Sequence, residues 1–248
     1  MAGDKEKITE FFVEKGWGMM RRPKSVIRFT SDPDARALVN DIENYPHAFT
    51  LACIMDRQMP AEKVWAIPHR ISKITGGFEF ERMKTISKDG WEDIFVTHKL
   101  HRYKKIMAGF FYFAVRDIDE KYQGDASKIW NDNPPSVILV NRFRAFKGAG
   151  EKIATMAANI LCREFKVKVK DYLAIDVSAD VHVVRVFNRL GLISSGGVDE
   201  TIKAARELYP EYPGIFDLYA WKLGRDICRP TNPECAACEL KSLCKQDN

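Results

Sequence analysis

Four cysteines near the C-terminus have a spacing that suits metal binding. Cys228, Cys235, Cys238 and Cys244 are separated by six, two and five residues. Clustered thiols in a chain with no apolar signal sequence favour a metal over a disulfide framework. Thiolates bind zinc or an iron–sulfur cluster. Zinc sites commonly pair two short knuckles, but only Cys235 and Cys238 form one here, and the wide gaps suit a bulky cubane better. A zinc clip on the C-terminal tail is the alternative.

A second motif, two glycines between predicted helices, could bind a phosphate. Gly148 and Gly150 stand one residue apart, and glycine lets a backbone approach a ligand closely. The helix that follows presents free N–H groups and a positive dipole end, which favour a phosphate. Such contacts position DNA without reading its sequence. Taken alone, the pattern also fits a plain turn between two helices.

Two charged side chains stand near the starts of predicted helices. Lys152 follows the glycines and lies beside the apolar stripe of its helix, and the usual fate of such a lysine is the solvated surface. Asp180 precedes a stripe that contains Val183 and Phe187. Aspartate there is a good N-cap, so the local sequence alone indicates a capping residue without chemistry.

The order of these motifs resembles the endonuclease III family of DNA glycosylases, from about residue 34 to residue 244. Cys-x6-Cys-x2-Cys-x5-Cys is similar to that family's cluster loop, and the Gly-x-Gly turn is similar to its helix-hairpin-helix. The resemblance implies a structural [4Fe-4S] cluster on the four cysteines. It also implies DNA contacts from Lys147, Gly148 and Gly150. This chain departs from the family at Phe146, Lys147 and Ala149, where leucine, proline and a larger aliphatic residue are usual.

The resemblance also assigns the chemistry. Lys152 matches the position where lyase-competent members carry their nucleophile. Asp180, followed by one residue and His182, matches the catalytic carboxylate, whereas Asp176 lacks the following histidine. A fixed carboxylate can stabilise the cationic sugar that forms as a base departs. The gap between Lys152 and Asp180 is longer than is usual, and an insertion around residues 166–170 would explain it.

A further match concerns the turn after an early helix. Family members push a glutamine into the gap left by a flipped nucleotide, and Gln58 matches that glutamine by position. Arg57 could contact a phosphate or the orphaned base, and a solvated loop is the alternative for both residues. A basic run follows later in the chain, and it either lies along DNA or forms a solvated helix face; it comprises Lys99, Arg102, Lys104 and Lys105, beside Tyr103.

The elements that must position these residues are predicted to be helices. Apolar residues recur mostly at helical spacing and strand-like alternation is scarce, which indicates an all-α chain. Residues 25–30 are a short extended piece at best. Pro68 should kink or split a helix over 61–75. Residues 78–87 and 215–227 are predicted helices, and the Asp-, Asn-, Gly- and Pro-rich residues 117–135 are the longest predicted connection.

Composition sets broad limits on the class of protein. The chain has 248 residues, 46% of them hydrophobic and 29% charged, enough to bury one large core or two modest ones. It has no apolar stretch long enough to span a membrane and no secretion signal, so we expect a cytoplasmic protein. A net charge of +5 is compatible with nucleic acid but does not require it. Cys53 and Cys162 stand singly in apolar company and are predicted to be buried.

We therefore expect an all-α, two-lobed glycosylase fold. A helical barrel would cover 29–145, and residues 1–28 with 146–248 would form the lobe that carries the hairpin and the cluster loop. The resemblance implies a monomeric DNA glycosylase with abasic-site lyase activity, acting on double-stranded DNA with a damaged base or an abasic site. The alternatives are a monofunctional glycosylase that uses water and Asp180, and a non-catalytic, metal-stabilised DNA-binding protein. The resemblance implies oxidised pyrimidines as the first expectation for the substrate, and the sequence does not exclude oxidised purines, uracil or mismatched bases.

Overall fold

The structure, a computed structural model, describes residues 2–245, with side chains from residue 4. This part of the chain is helical and has no strand, which confirms the all-α prediction. Its α-helices are α1 (Ala2–Met20), α2 (Pro33–Asn40), α3 (Pro46–Met55), α4 (Ala61–Val64), α5 (Ile67–Thr75), α6 (Phe80–Met83), α7 (Lys88–Thr97), α8 (Lys104–Tyr122), α9 (Ser136–Arg144), α10 (Glu151–Arg163), α11 (Val181–Arg189), α12 (Val198–Leu208) and α13 (Asp217–Lys222). The shorter elements are 3-10 turns at Ala126–Ile129, Pro213–Phe216, Cys235–Ala237 and Lys241–Leu243, and a π-helical turn at Leu223–Ile227.

Contacts divide the chain into two compact units. The hairpin unit comprises residues 25–134 and 141–157, and the cysteine unit comprises residues up to 24, 135–140 and those from 158 onward. Helices α9 and α10 therefore each contribute residues to both units. The predicted domain boundaries at residues 29 and 145 stay a prediction.

Helix α3 forms the centre of the hairpin unit. All ten of its residues are buried, as expected for a helix that is apolar on nearly every face. Helices α7 and α8 pack against each other, and the ring of Trp91 lies 4.5 Å from that of Phe111. Both rings are fully buried. This core supports the loops that carry Gln58 and the glycine turn.

Aromatic side chains hold the cysteine unit together. Phe12 on α1 packs against Phe216, with 5.7 Å between ring centroids, and Phe187 on α11 packs against Phe216 at the same distance. Phe216 directly precedes α13. These contacts therefore hold the start of α13 against the buried face of α11, the helix that Asp180 immediately precedes.

The structure agrees with some predicted boundaries and corrects others. The helix predicted over 61–75 is split into α4 and α5, and Pro68 occupies the first turn of α5, where proline is tolerated. Of residues 78–87, only Phe80–Met83 is α-helical. Cys53 and Cys162 are buried, as predicted. No helix in the described part of the chain is both long and apolar enough to span a membrane.

The connection predicted over 117–135 is wrong at its start. Helix α8 continues to Tyr122 because Ile118 is buried and Lys121 pairs with Asp117 one turn earlier, at 2.7 Å. The helix ends at Gln123, whose φ of 56° is left-handed. Part of the remainder forms the 3-10 turn at Ala126–Ile129.

The helix predicted over 215–227 is also interrupted. Its first residues belong to a 3-10 turn, α13 occupies the middle, and a π-helical turn ends it. The π turn packs closely on α11, because a Cβ on Gly224 would lie 2.7 Å from the carbonyl oxygen of His182. Only a residue without a side chain allows this approach.

Candidate functional site

The four C-terminal cysteines come together around one cavity. The cavity measures about 70 Å³ and lies within the cysteine unit. The lining is completed by Arg189, Ile227, Pro233 and Lys241. The structure thus brings together all four cysteines that the sequence singled out, although they span separate short turns.

All four cysteines line the same small cavity, and Cys238 lies close enough to the other three to interact with them electrostatically. Burial raises the pKa of the Cys238 thiol, and the three neighbouring cysteines raise it further. Holding all four side chains as thiolates would therefore need a cationic centre among them.

Helix α11 is bonded directly to the cysteine loop by two arginines. Arg185 donates from Nε to the carbonyl of Cys228, at 2.7 Å, and from a terminal nitrogen to the carbonyl of Gly224, at 2.6 Å. Arg189 donates to the sulfur of Cys228, at 3.4 Å. These bonds give the thiols a positively charged neighbour, and they join the loop to the helix that begins after Asp180.

Asp180 is the N-cap of α11, as the local sequence predicted. Its carboxylate accepts the backbone N–H groups of His182 and Val183, at 2.8 and 3.0 Å. The residue is half-buried. Asp176 differs, because its buried carboxylate is bound by Arg206 at 2.5 and 2.7 Å. Asp176 is therefore committed to an ion pair, and Asp180 presents a fixed negative charge at a helix terminus.

The glycine turn joins α9 and α10 in the way that the sequence indicated, but its two glycines have different roles. Gly148 has a φ of 88°, and a Cβ there would lie 2.6 Å from the ring of Phe110. Gly150 has no positive φ, and a Cβ there would meet nothing within 4 Å. Its carbonyl accepts the first helical bonds of α10, from Ile153 and Ala154. Packing requires glycine at position 148, whereas no other part of the protein fills the space beside the Cα of Gly150.

The departures from the usual hairpin sequence are accommodated by aromatic packing. Phe146 is buried and its ring stacks with that of Tyr122, with centroids 6.3 Å apart. Lys147 is exposed, and its ammonium lies 4.1 Å from the ring centre of Phe113. The cation–π contact holds this charge beside the turn.

Lys152 is the second residue of α10 and its side chain is exposed. The next residue, Ile153, is buried and begins the apolar stripe, as predicted. The first N–H groups of α10 have no partners within the helix, as at every helix start. Free N–H groups, the exposed Lys152 and the open Gly150 therefore occupy one helix terminus.

Gln58 and Arg57 lie in the loop after α3, with opposite environments. Gln58 is exposed, and its φ of 52° is left-handed. Arg57 is half-buried, donates to the carbonyl of Ile54 at 2.8 Å and lies over the ring of Phe110. Burial lowers the pKa of Arg57. In this arrangement Arg57 supports the loop, and Gln58 projects from it.

Gln58 borders a large open cavity of about 860 Å³ in the hairpin unit. Three members of the basic run, Lys99, Arg102 and Lys104, also line it. Lys105 does not, and pairs instead with Glu92 at 2.9 Å. The cavity lining also includes Thr30, Asp32, Met59, Pro60, Glu62, Lys63, Ala66, Arg70 and His101.

Sequence reasoning missed two supporting residues of the hairpin unit. Phe110 contacts both the Arg57 guanidinium and the space beside Gly148. Its position one turn from Phe113 on α8 was the available signal. His101 joins two loops, because its Nδ1 accepts the amide of Tyr103 and its Nε2 lies 3.1 Å from the carbonyl of Arg57. Burial lowers the pKa of His101, so the ring is neutral and donates from Nε2.

Comparisons with known proteins place these features in context. No family model matches the chain. It is 39% identical to the endonuclease III of Thermotoga maritima over 70 residues, which are 28% of this chain and 33% of that protein. It is 31% identical to the endonuclease III of Buchnera aphidicola over 100 residues, 40% of this chain and 41% of that protein. The matches thus span well under half the length of these relatives.

Solved structures match over nearly the whole chain. A thermostable thymine-DNA glycosylase superposes with a TM-score of 0.65 at 18% identity, covering 99% of this chain and 98% of that one. A trapped endonuclease III–DNA covalent intermediate and a non-covalent endonuclease III–DNA complex give TM-scores of 0.61 and 0.65 at 16% identity. Each covers 98% of this chain and 96% of the matched one. The likeness establishes the fold.

Proposed function

We propose that this chain, which has the endonuclease III-like helix-hairpin-helix fold, is a DNA glycosylase of base excision repair. The observation that carries the proposal is Asp180, whose carboxylate is fixed at the N-terminus of α11 by two backbone N–H groups. A fixed anion of this kind stabilises a cationic sugar more effectively than mobile solvent does. The expected substrate is double-stranded DNA with a damaged base or an abasic site.

The hairpin is the proposed anchor for the DNA backbone. The first N–H groups of α10 and the ammonium of Lys147 would meet a phosphate there. Gly150 would let that phosphate approach the backbone, since nothing in the protein occupies the space beside its Cα. These contacts add affinity without sequence preference.

The two glycines give a matched test of this anchor. Gly150→Ala is expected to change the free energy of unfolding by less than about 0.5 kcal/mol and to weaken duplex binding about tenfold. Gly148→Ala is expected to destabilise the fold by about 1–2 kcal/mol through its positive φ, with added cost from Phe110. Thermal unfolding and fluorescence anisotropy with an abasic duplex measure both effects. Unchanged DNA affinity in Gly150→Ala would remove the hairpin from the interface.

The proposed reaction begins by flipping a nucleotide, because its glycosidic carbon is shielded inside the duplex. The Lys152 amine then attacks that carbon and the base leaves, while Asp180 stabilises the developing positive charge. The bond from that carbon to the ring oxygen then breaks, which opens the sugar and gives a Schiff base to Lys152. Loss of a C2′ proton expels the 3′ phosphate by β-elimination and so breaks the strand. Lys152 is exposed in the free protein.

Gln58 is the better placed of the two proposed probe residues. Its exposed side chain projects from a loop that Arg57 and His101 hold in shape. We propose that Gln58 enters the gap left by the flipped nucleotide. Arg57 can reach DNA only by leaving its contact with Phe110, so its proposed phosphate contact depends on rearrangement.

We further propose that the four cysteines hold a [4Fe-4S] cluster with a structural role. The wide gaps between the cysteines in the sequence and the one cavity that all four line support this proposal. All four ligands come from the protein. Through Arg185 and Arg189, the loaded loop would stabilise α11.

Metal analysis tests the assignment. Protein purified without oxygen is expected to contain about four iron and four sulfide ions per chain, as [4Fe-4S] chemistry requires. Cys238→Ser is expected to lose most of that iron, whereas Cys53→Ala, a change at a buried single cysteine, should keep it. One zinc per chain and no sulfide would contradict the cluster and support the zinc clip.

A panel of duplexes with single lesions tests the enzymatic function. Each duplex carries one oxidised pyrimidine, oxidised purine, uracil, mismatch or abasic site, and cleavage after heat and alkali reports base removal. Release from at least one lesion is expected. Binding without release from any lesion would leave a metal-bearing, non-catalytic DNA-binding protein.

A further inference from the structure

A buried carboxylate in the cysteine unit has no role in the reaction proposed above. Asp217 is the first residue of α13 and is only 7% exposed. Its Oδ1 accepts the backbone N–H of Ser178, at 2.9 Å. Ser178 is itself buried and lies two residues before Asp180. The side chain thus bonds the backbone of the loop that leads to the proposed catalytic carboxylate.

A buried arginine compensates the charge of Asp217. Arg163, the last residue of α10, places a terminal nitrogen 3.6 Å from the other carboxylate oxygen. Its Nε also donates to Glu164, at 2.9 Å. Arg163 and Asp217 are each 7% exposed. Burying a carboxylate without such partners costs free energy. Through its contacts with Arg163 and Ser178, Asp217 connects the start of α13 with the end of α10 and with the 178–180 loop.

Asp217 and Asp180 also interact electrostatically. Burial raises the pKa of Asp217, Arg163 and the Ser178 amide oppose that effect, and the nearby charge of Asp180 adds to it. Asp217 is too deeply buried to touch DNA, and its bond to the Ser178 amide is its link to the loop that leads to Asp180.

We propose that Asp217 is a positioning residue that holds the turn from which Asp180 caps α11. This inference rests on the proposed function. Without the bond to Asp217, the Ser178 amide is buried and unpaired, and the loop must shift to reach another acceptor. A shift of about 1 Å at a catalytic group can cost on the order of 100-fold in rate, whereas DNA contacts elsewhere are unaffected.

Asp176 supplies a matched control. It is a buried carboxylate on the same loop, is bound by an arginine, and lies four residues before Asp180. Its side chain points to Arg206 on α12 and does not bond the backbone at Ser178. Asp176→Ala should destabilise the fold less than Asp217→Ala, because Arg206 is mostly exposed whereas Arg163 is buried, and it should not move the Asp180 turn.

The test compares these variants by single-turnover base release, duplex affinity and amide hydrogen exchange. Asp217→Ala is expected to lower the rate by about 10- to 100-fold with duplex affinity within about twofold. Exchange at the His182 and Val183 amides, which bond Asp180, should rise by about fivefold or more. Asp217→Asn keeps an acceptor for Ser178 and should restore most of the rate. Asp217→Glu keeps the negative charge but moves the carboxylate oxygen away from the Ser178 amide. If the alanine variant does not fold, the glutamate variant is compared with Asp176→Ala in its place.

Two failures are distinguishable. Wild-type protein that releases no base, with exchange at His182 and Val183 still rising in Asp217→Ala, overturns the proposed function and leaves the positioning role standing. Active wild-type protein, with Asp217→Ala or Asp217→Glu matching Asp176→Ala in both rate and exchange, overturns the positioning role.

Discussion

Asp180→Asn is expected to lower the single-turnover rate of base release by about 100- to 1000-fold. Asparagine is also a good N-cap, so the bonds to the His182 and Val183 amides can persist. The substitution therefore removes the negative charge and keeps the helix start. Duplex affinity and melting temperature should change little, and the rate is measured with enzyme in excess over a lesion duplex.

Asp180→Ala separates the two roles of this side chain. It should lose the charge and also about 1 kcal/mol of cap stability, so its melting temperature should fall where that of Asp180→Asn does not. A rate of base release by Asp180→Asn within about threefold of wild type would mean that the charge contributes less than about 1 kcal/mol of transition-state stabilisation. Asp180 would then be a structural cap alone.

Lys152→Ala is expected to abolish the covalent protein–DNA adduct that borohydride traps on an abasic-site duplex. Borohydride reduces a Schiff base to a stable amine, and only an amine nucleophile forms one. Lys147→Ala is the matched control, because that lysine is also exposed and lies beside the same turn. It should weaken binding and still give the adduct.

Base release by Lys152→Ala distinguishes attack by the lysine amine from attack by water. If Lys152→Ala still removed base but gave no adduct, water would be the nucleophile in that variant. If wild-type protein also gave no adduct, the enzyme would be a monofunctional glycosylase with Lys152 as a bystander. An adduct of undiminished yield in Lys152→Ala would require a different amine.

Much of the candidate site was predictable because it depends on local chemistry. Four thiols at short spacing can converge on one cavity whatever the surrounding fold, and Cys228 and Cys244 do so. An aspartate before an apolar helical stripe caps that helix when its side chain accepts N–H groups of the first turn, as that of Asp180 does. In both cases the determining contacts lie close along the chain.

The parts that sequence reasoning missed depend on contacts between distant segments. Nothing near Arg57 in sequence indicates that Phe110 covers its guanidinium, and a loop arginine is ordinarily solvated. The π turn beyond α13 packs closely on His182, a contact that helical periodicity does not encode. The bond between Asp217 and Ser178 spans 39 residues and is likewise visible only in the folded chain.

The central claim, that this chain removes damaged bases from DNA, is tested most directly by identifying what it releases. Wild-type protein and Asp180→Asn, both purified without oxygen, are incubated separately with genomic DNA that has been oxidised, deaminated or alkylated, and free bases are measured by mass spectrometry. At least one damaged base is expected above the no-enzyme background with wild-type protein, and far less of it with Asp180→Asn over the same time. If folded protein that binds duplex DNA released no base from any treated DNA, the glycosylase assignment would be contradicted.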